Sequence, residues 1–166
     1  NVKKLLASLT ALDYPKNLFE IILVDDFSDD QTTTIVEQLI EEYKGLDINL
    51  HSLKEAGLTH NRAFKKTAIQ IGVSYAKYEW VVTTDADCLH KPSYLKTLAG
   101  FIHRYKPRFI SAPVNLGPNK SLFQKMQALE FKGLVGLGAA YLQRDKPFLC
   151  NGANQAFQRN VFQKLN

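Results

Sequence analysis

Two pairs of aspartates stand directly after short apolar runs of this 166-residue chain. Asp25 and Asp26 follow FEIILV, and Asp85 and Asp87 follow WVVTT. Carboxylates at the ends of buried strands are costly unless they face water, a cation or a hydrogen-bonding ligand. Mg²⁺ and Mn²⁺ prefer oxygen ligands and bind through one or two carboxylates together with ligand phosphates. The spacing of Asp85 and Asp87 therefore suits one contact to a ribose hydroxyl and one to a divalent cation, although strand-end solubilisation or helix capping remains the plain alternative.

The elements that would position these aspartates alternate between helix and strand. Helical spacing of apolar residues predicts helices within 2–12, 35–43, 64–75 and 95–102, and another that begins near Arg159. Short apolar runs predict strands over 19–24, 48–53, 80–84 and 109–114. This alternation is typical of βαβ units and predicts one α/β domain over 1–166, with a mainly parallel sheet and helices on both faces. Ligands of such sheets bind beyond the carboxyl ends of the strands, where both acidic clusters fall.

Local signals add detail to two predicted helices and to one apolar stretch. Ser28 and Gln31 have the spacing of a capping box, and Pro92 suits the first turn of the helix that follows it. The stretch 122–142, LFQKMQALEFKGLVGLGAAYL, is apolar enough to lie against a membrane or another domain, but we expect ordinary core packing.

The overall composition limits the classes of partner and compartment. Twenty-one Lys and Arg against 16 Asp and Glu give a net charge of +5, which favours anionic ligands, yet the charges are scattered and predict no nucleic-acid binding. Cys88 and Cys150 form no disulfide framework or metal-ligand pattern and fit a reducing compartment. No uncharged run is long enough to span a bilayer. The four histidines, at positions 51, 60, 90 and 103, show no ligand spacing and are predicted to be surface or capping residues.

Four motifs, in the same order along the chain, resemble those of family 2 glycosyltransferases. VDDFSDD at 24–30 is similar to the family element V-D-D-x-S-x-D, and TDADC at 84–88 resembles its D-x-D segment. KKTAIQIGV at 65–73 is similar to a G-K-K-x-A-L-x-x-G-I stretch of membrane-linked members. FLCNGANQAFQRNVF at 148–162 is similar to the G-x-N-x-A-F-x-R loop, and its first residues resemble the F-F-C-G-S acceptor motif of bacterial cellulose synthases.

The resemblance implies a fold, a reaction and a set of ligands. It implies a GT-A, Rossmann-like α/β fold and a hexosyltransferase that moves a sugar, with inversion, from a UDP-linked or other nucleotide-diphosphate sugar to a saccharide or lipid-linked acceptor. It also implies a Mg²⁺ or Mn²⁺ cofactor that bridges the diphosphate. Asp87, assisted by Asp85, would bind this cation.

The remaining site residues follow from the same resemblance. Asp25 and Asp26 would contact the base and ribose, and Asp85 would lie near the ribose or the sugar. Lys66 or its neighbour Lys65 would neutralise phosphate, unless both lysines are simply solvated. The acceptor side would be lined by Cys150, Gly152 and Asn154, unless this segment is a plain turn.

Two departures from the family pattern concern the ends of the chain. The family's first strand, with an Asn-Glu turn, is missing before the first helix, and the Glu-Asp pair that usually contains the general base does not follow the G-x-N loop. Transfer with inversion needs a base to take the proton of the acceptor hydroxyl. The sequence thus predicts an inactive fragment, with its catalytic base beyond residue 166. The full protein is expected at the cytoplasmic face of the membrane, held there by parts outside this chain.

Other functions remain open from the residues alone. A phosphatase of the haloacid dehalogenase type also ends a strand in D-x-D, but it needs Thr or Val where this chain has Leu89, and its motif normally lies on the first strand. A nucleotidyltransferase would also use metal and nucleotide, and a non-catalytic nucleotide-binding domain is compatible with the missing base. A dinucleotide oxidoreductase is disfavoured because no G-x-G-x-x-G follows a predicted strand.

Overall fold

Helices and strands alternate along the chain in the computed structural model, which describes residues 1–54, 64–117 and 120–165. His60 lies outside these residues. Within them the order is α1 (Val2–Thr10), β1 (Ile21–Asp25), α2 (Thr32–Glu42), β2 (Ile48–Ser52), α3 (Phe64–Tyr75), β3 (Trp80–Thr84), α4 (Tyr94–Tyr105), β4 (Phe109–Ser111), α5 (Leu122–Gln143), β5 (Asn154–Gln158) and α6 (Arg159–Leu165). A short 3-10 turn, Lys16–Leu18, precedes β1. The prediction of an α/β fold is confirmed.

The first half of the chain forms a parallel strand pair covered by helices. β1 and β2 pair in parallel from Ile21 opposite Ile48 to Asp25 opposite Ser52, and α2 provides the crossover that parallel neighbours require. Leu6, Ile21, Leu39 and Ile48 form the buried cluster between this pair and helices α1 and α2. α3 packs directly against β1, because a side chain at Gly72 would meet Val24 Cγ2 at 3.4 Å.

The second half of the chain forms an antiparallel sheet with the order β3-β5-β4. β5 pairs with β3 from Thr84 opposite Asn154 to Trp80 opposite Gln158, and with β4 through Phe109 opposite Phe157. The expectation of a mainly parallel sheet therefore holds for β1 and β2 but not for these three strands. The reason is that β5 enters between β3 and β4 and runs opposite to both. As a result, β5 begins at the sheet edge where β3 ends.

Two predicted helix starts differ in the structure. α2 begins at Thr32, and the carboxylate of Asp30 accepts a hydrogen bond of 2.9 Å from its backbone N–H. The predicted capping box of Ser28 and Gln31 is therefore wrong, because Asp30 lies between them and takes a free N–H of the first turn. α4 begins at Tyr94 after Ser93, so that Pro92 precedes the first turn.

Most of the long helix α5 is exposed. Ser121 and Gln124 form a complete capping box at its start. Of its 22 residues, all of which the structure describes, only Ala128 and Gly138 are buried. Gly138 packs so closely on the backbone of Leu149 that a Cβ there would lie 2.6 Å from the carbonyl oxygen. The expectation that this helix packs in the core is wrong. No helix among the described residues is long and apolar enough to cross a membrane.

Candidate active site

The first acidic cluster lies at the carboxyl end of β1. Asp25 is the last residue of the strand and is buried, and its carbonyl accepts a hydrogen bond of 3.0 Å from the Leu53 N–H. Asp26 follows and is exposed. Phe27 then adopts φ 58°, a left-handed conformation that is rare for residues other than glycine and costs about 1 kcal/mol. The chain thus turns sharply away from the sheet directly after the two aspartates.

The second acidic cluster follows β3 and contains an ion pair. The Lys65 ammonium lies 2.6 Å from Asp85 Oδ1, and the two side chains are 61% and 41% exposed. Lys65 stands in the first turn of α3, so this pair joins the start of α3 to the end of β3. Since a half-exposed ion pair contributes only about 0–1 kcal/mol, a competing charged ligand can displace it at little cost.

The segment before β5 reaches the same place. Thr83, in β3, donates a side-chain hydrogen bond of 3.0 Å to the Gly152 carbonyl. A side chain at Gly152 would meet the Lys65 ammonium at 3.5 Å, which is ordinary van der Waals contact. The structure therefore brings Lys65, Asp85 and Gly152 together. They belong to the first turn of α3, the residue after β3 and the segment before β5.

The remaining predicted residues are placed less specifically. Asp87 is exposed, and the Cys88 sulfur lies 4.0 Å from its Oδ1 atom. Lys66 is also exposed, and of the two lysines it is Lys65 that pairs with Asp85. Cys150 is half-buried in the segment that precedes β5.

The side chain of Asn154 makes hydrogen bonds to the elements around it. Its Oδ1 atom accepts a hydrogen bond of 2.6 Å from the Tyr94 hydroxyl, and its Nδ2 donates to the Pro113 carbonyl at 3.0 Å. Its own carbonyl accepts from the Ala112 N–H at 2.9 Å. β4 ends at Ser111, three residues short of the predicted end, because Pro113 has no N–H to continue the ladder. Asn154 thus connects β5, the start of α4 and the chain beyond β4.

His90 and Tyr94 complete this network, and the sequence analysis did not identify either role. The two rings are 4.3 Å apart, and His90 Nε2 lies 2.9 Å from the Thr84 hydroxyl. Burial raises the pKa of Tyr94 to about 12, with a smaller contribution from Cys88, so its hydroxyl keeps the proton that it donates to Asn154. Burial lowers the pKa of His90. His90 was predicted to be a surface or capping residue, but it is half-buried, and its place directly after the D-x-D segment was the signal in the sequence.

The D-x-D pair is the part of this site that suits a divalent cation. Within residues 1–54, 64–117 and 120–165 no three His, Cys, Asp or Glu side chains are grouped as a metal site. Asp85 and Asp87 offer two carboxylates, both of which solvent can reach. Such a pair fits an oxygen-seeking cation that takes its other ligands from phosphates and water.

Comparison with known proteins decides the family. The sequence model described as "Glycosyl transferase family 2" matches residues 1–165. The chain belongs to glycosyl transferase family 2. Among family relatives, poly-beta-1,6-N-acetyl-D-glucosamine synthase of Staphylococcus epidermidis is 29% identical over 138 residues, which cover 81% of this chain and 30% of the relative. Poly(ribitol-phosphate) beta-N-acetylglucosaminyltransferase TarS of Staphylococcus aureus strain Mu50 is 33% identical over 104 residues, 63% of this chain and 17% of the relative. The chain thus spans less than a third of the length of these curated relatives.

Solved structures support the family 2 fold. The mannosyltransferase PcManGT of Pyrobaculum calidifontis, in complex with GDP-Man and Mn²⁺, matches with a TM-score of 0.73 over 99% of this chain and 42% of that one, at 22% identity. The 1–349 portion of S. aureus TarS matches with a TM-score of 0.55 over 72% of this chain and 36% of that one, at 27% identity. The GT-A prediction is confirmed, and the phosphatase and nucleotidyltransferase alternatives are left without support.

Proposed function

We propose that this chain binds the donor in an inverting glycosyltransferase that moves a sugar from a UDP-linked sugar to a saccharide or lipid-linked acceptor. The observation that carries the proposal is the ion pair of Lys65 and Asp85 beside Gly152. It brings a cation, a carboxylate and the backbone at Gly152 together at the end of β3. A nucleotide-diphosphate sugar presents the complementary groups, which are two phosphates, sugar hydroxyls and a base.

Lys65 and Asp85 have separate tasks when a donor binds. The diphosphate carries more negative charge than a single carboxylate and competes for the Lys65 ammonium. Since the pair is half-exposed, Lys65 can turn towards the phosphates without burying a new charge. Asp85 is then free to accept hydrogen bonds from ribose or sugar hydroxyls. Lys65 thereby takes the phosphate role for which Lys66 was the first candidate.

The base and ribose are assigned to the first acidic cluster. Asp25 is fixed as the last residue of β1, and Asp26 is exposed beside it. A carboxylate accepts hydrogen bonds only, so each of these residues suits the N–H groups of a base or the hydroxyls of a ribose. Phe27 adopts a left-handed conformation directly after them, so the chain turns at this strand end.

A divalent cation completes the donor site in this proposal. Asp87, with Asp85, would hold Mg²⁺ or Mn²⁺, and the cation would neutralise charge on the diphosphate leaving group. The PcManGT structure is a complex with Mn²⁺, which supports the choice of cation to test first.

The acceptor is assigned to the segment before β5. Cys150, Gly152 and Asn154 would border the space beyond the donor sugar. Asn154 uses one acceptor site and one N–H in its bonds to Tyr94 and Pro113, so that its amide is held in a fixed orientation. The names of two relatives refer to N-acetylglucosamine, and TarS has been solved with UDP-GlcNAc, so that this donor is the first to test.

Calorimetric titration with UDP-GlcNAc tests the proposal. We expect binding in the presence of Mn²⁺, weaker binding in EDTA, and loss of the metal-dependent part in Asp87→Asn. Asp145→Asn changes an exposed aspartate outside both acidic motifs and should bind like the wild type. If UDP-GlcNAc, UDP and GDP-Man all fail to bind the folded protein, or if Asp145→Asn and Asp87→Asn behave alike, the donor site is not where we place it.

A further inference from the structure

α5 exposes seven large apolar side chains, at positions 122, 123, 126, 129, 134, 137 and 141. Leu122, Met126 and Leu129 are 76%, 62% and 72% exposed. Their spacing of four and three residues places them on one side of the helix, and Gly133 and Ala140 continue the same line. Ala128 and Gly138, the buried residues of α5, lie on the other side. We call the line 122, 126, 129, 133 and 140 the outer strip.

Aromatic side chains extend the apolar surface at the carboxyl end of α5. The rings of Tyr141 and Phe148 are 5.7 Å apart, and Phe148 is 73% exposed. Soluble monomers rarely expose contiguous apolar patches of more than a few hundred Å², and larger ones mark interaction surfaces. The outer strip with these two rings is therefore a candidate interaction surface.

The charges beside the outer strip identify the chemistry of that partner. Residues 120–146 contain five basic and two acidic side chains. Their net charge of +3 is more than half of the chain's net charge of +5. Lys125 and Lys132 are exposed and seven residues apart, so both follow the same edge of the strip, while Glu130 is the only acidic residue of α5. An apolar strip bordered by lysines is complementary to an anionic lipid surface, where the lysine stems lie along apolar groups and the ammonium groups reach phosphates.

A second copy of the chain fits this surface less well. In an antiparallel pair of α5 helices the equivalent edges meet, so Lys132 would face Lys132 and Glu130 would face Glu130. An anionic lipid surface has no such like-charge contact, and light scattering distinguishes it from a parallel pair of helices.

We infer that α5 lies flat on an anionic membrane surface, with the outer strip among the acyl chains and Lys125 and Lys132 at the phosphates. This contact belongs to the chain itself and needs neither a bound donor nor a spanning helix. The inference is independent of the proposed glycosyltransferase activity. It fixes which side of the domain faces the bilayer.

Vesicle sedimentation tests the inference directly on the 166-residue protein. We expect it to sediment with vesicles of equal phosphatidylcholine and phosphatidylglycerol and to stay in solution with phosphatidylcholine alone. Lys125→Glu combined with Lys132→Glu should lower the partition coefficient about tenfold or more, and so should Leu129→Asp. The exposed pair Lys3 and Lys4 on α1 offers the matched control, since Lys3→Glu with Lys4→Glu makes the same change in charge.

The two double variants separate the outcomes. If both lower binding equally, the attraction is one of overall charge, and the assignment to α5 is overturned. Equal sedimentation with neutral and anionic vesicles, or none with either, also overturns it. Light scattering provides the remaining check: a dimer that Leu129→Asp dissociates, without vesicle binding by the wild type, would assign the outer strip to self-association. Melting temperatures verify that each variant is folded. If Leu129→Asp does not fold, the double lysine variant still tests the inference.

Discussion

The Tyr94 hydroxyl donates a hydrogen bond of 2.6 Å to Asn154 Oδ1, although the two residues are 60 positions apart in the chain. Tyr94 begins α4 and Asn154 begins β5, so this bond fixes the helix after the D-x-D segment to the strand after the Gly152 segment. Asn154 also lies opposite Thr84, the last residue of β3. A contact between two side chains that bear no charge at neutral pH thus adds to the β3–β5 pairing in holding the two segments together.

Removal of this hydroxyl should destabilise the domain. Tyr94→Phe leaves Asn154 Oδ1 without its donor in a part-buried position, and we expect a loss of about 1 kcal/mol in the free energy of unfolding. Urea titration followed by circular dichroism measures this loss. Tyr105→Phe, at the exposed end of the same helix, should change stability by less than about 0.5 kcal/mol. Equal effects of the two substitutions would show that the bond to Asn154 contributes nothing specific.

The two adjacent lysines of α3 should differ in their effect on donor binding. Lys65 contacts Asp85 and approaches Gly152, whereas Lys66 is exposed and has no such placement at the site. We expect Lys65→Ala to weaken UDP binding about tenfold, since a charge-assisted hydrogen bond to phosphate is lost. Lys66→Ala is the matched control and should change affinity less than about twofold. Calorimetry with UDP and Mn²⁺ measures both, and a larger effect at Lys66 would reverse the assignment.

His90 should make stability depend on pH below neutrality. Burial lowers its pKa in the folded state, so the unfolded state binds the proton more readily. The stability associated with neutral His90 is complete above the unfolded pKa of about 6.5 and is lost as pH falls through the lowered folded pKa. Urea unfolding at about pH 7.5 and about pH 5.5 measures the difference in the free energy of unfolding. His90→Gln should reduce that difference, whereas His103→Gln, in an exposed position, should retain it.

The carboxyl end of α4 offers a substitution that should stabilise the fold. Lys106 ends the helix with φ 48° and ψ 45°, a left-handed conformation that glycine adopts without steric cost. Its side chain is exposed, so Lys106→Gly removes strain without removing a buried contact, and we expect a gain of about 1 kcal/mol. Thermal and urea unfolding measure the gain. Lys106→Ala keeps the strained backbone and should stay within about 0.5 kcal/mol of the wild type.

Local patterns were sufficient to predict most helices and the positions of β1, β2, β3 and β4. The helix from Phe64 to Tyr75 and the strand from Trp80 to Thr84 have the predicted bounds, because their apolar spacing is contained within each segment. The direction of β5 was not predictable in this way, since it depends on pairing with residues far away in the chain. The exposure of α5 was missed for a related reason: its sequence shows that it is apolar, but burial depends on what lies against it.

Local patterns also predicted some residues of the candidate site and not others. Asp25 and Asp85 were identified because each follows a recognisable strand, and both stand at strand ends in the structure. The choice of Lys65 over Lys66 depends on the rotation of α3 about its axis, and in the structure the side of α3 that carries Gly72 faces Val24. A pair of adjacent lysines carries no information about that rotation.

The order of strands in the second sheet constrains how the chain is made. β5 leaves the ribosome after β3 and β4, yet it occupies the position between them in their sheet. Until residues 154–158 emerge, each of the two earlier strands presents a backbone edge without the partner it has in the native sheet, and such edges attract other chains. The first half of the protein, with β1 and β2 already paired in parallel, can form earlier. The speed of translation across α5 therefore sets how long β3 and β4 remain without β5. Rare codons in that stretch should promote aggregation of the nascent chain.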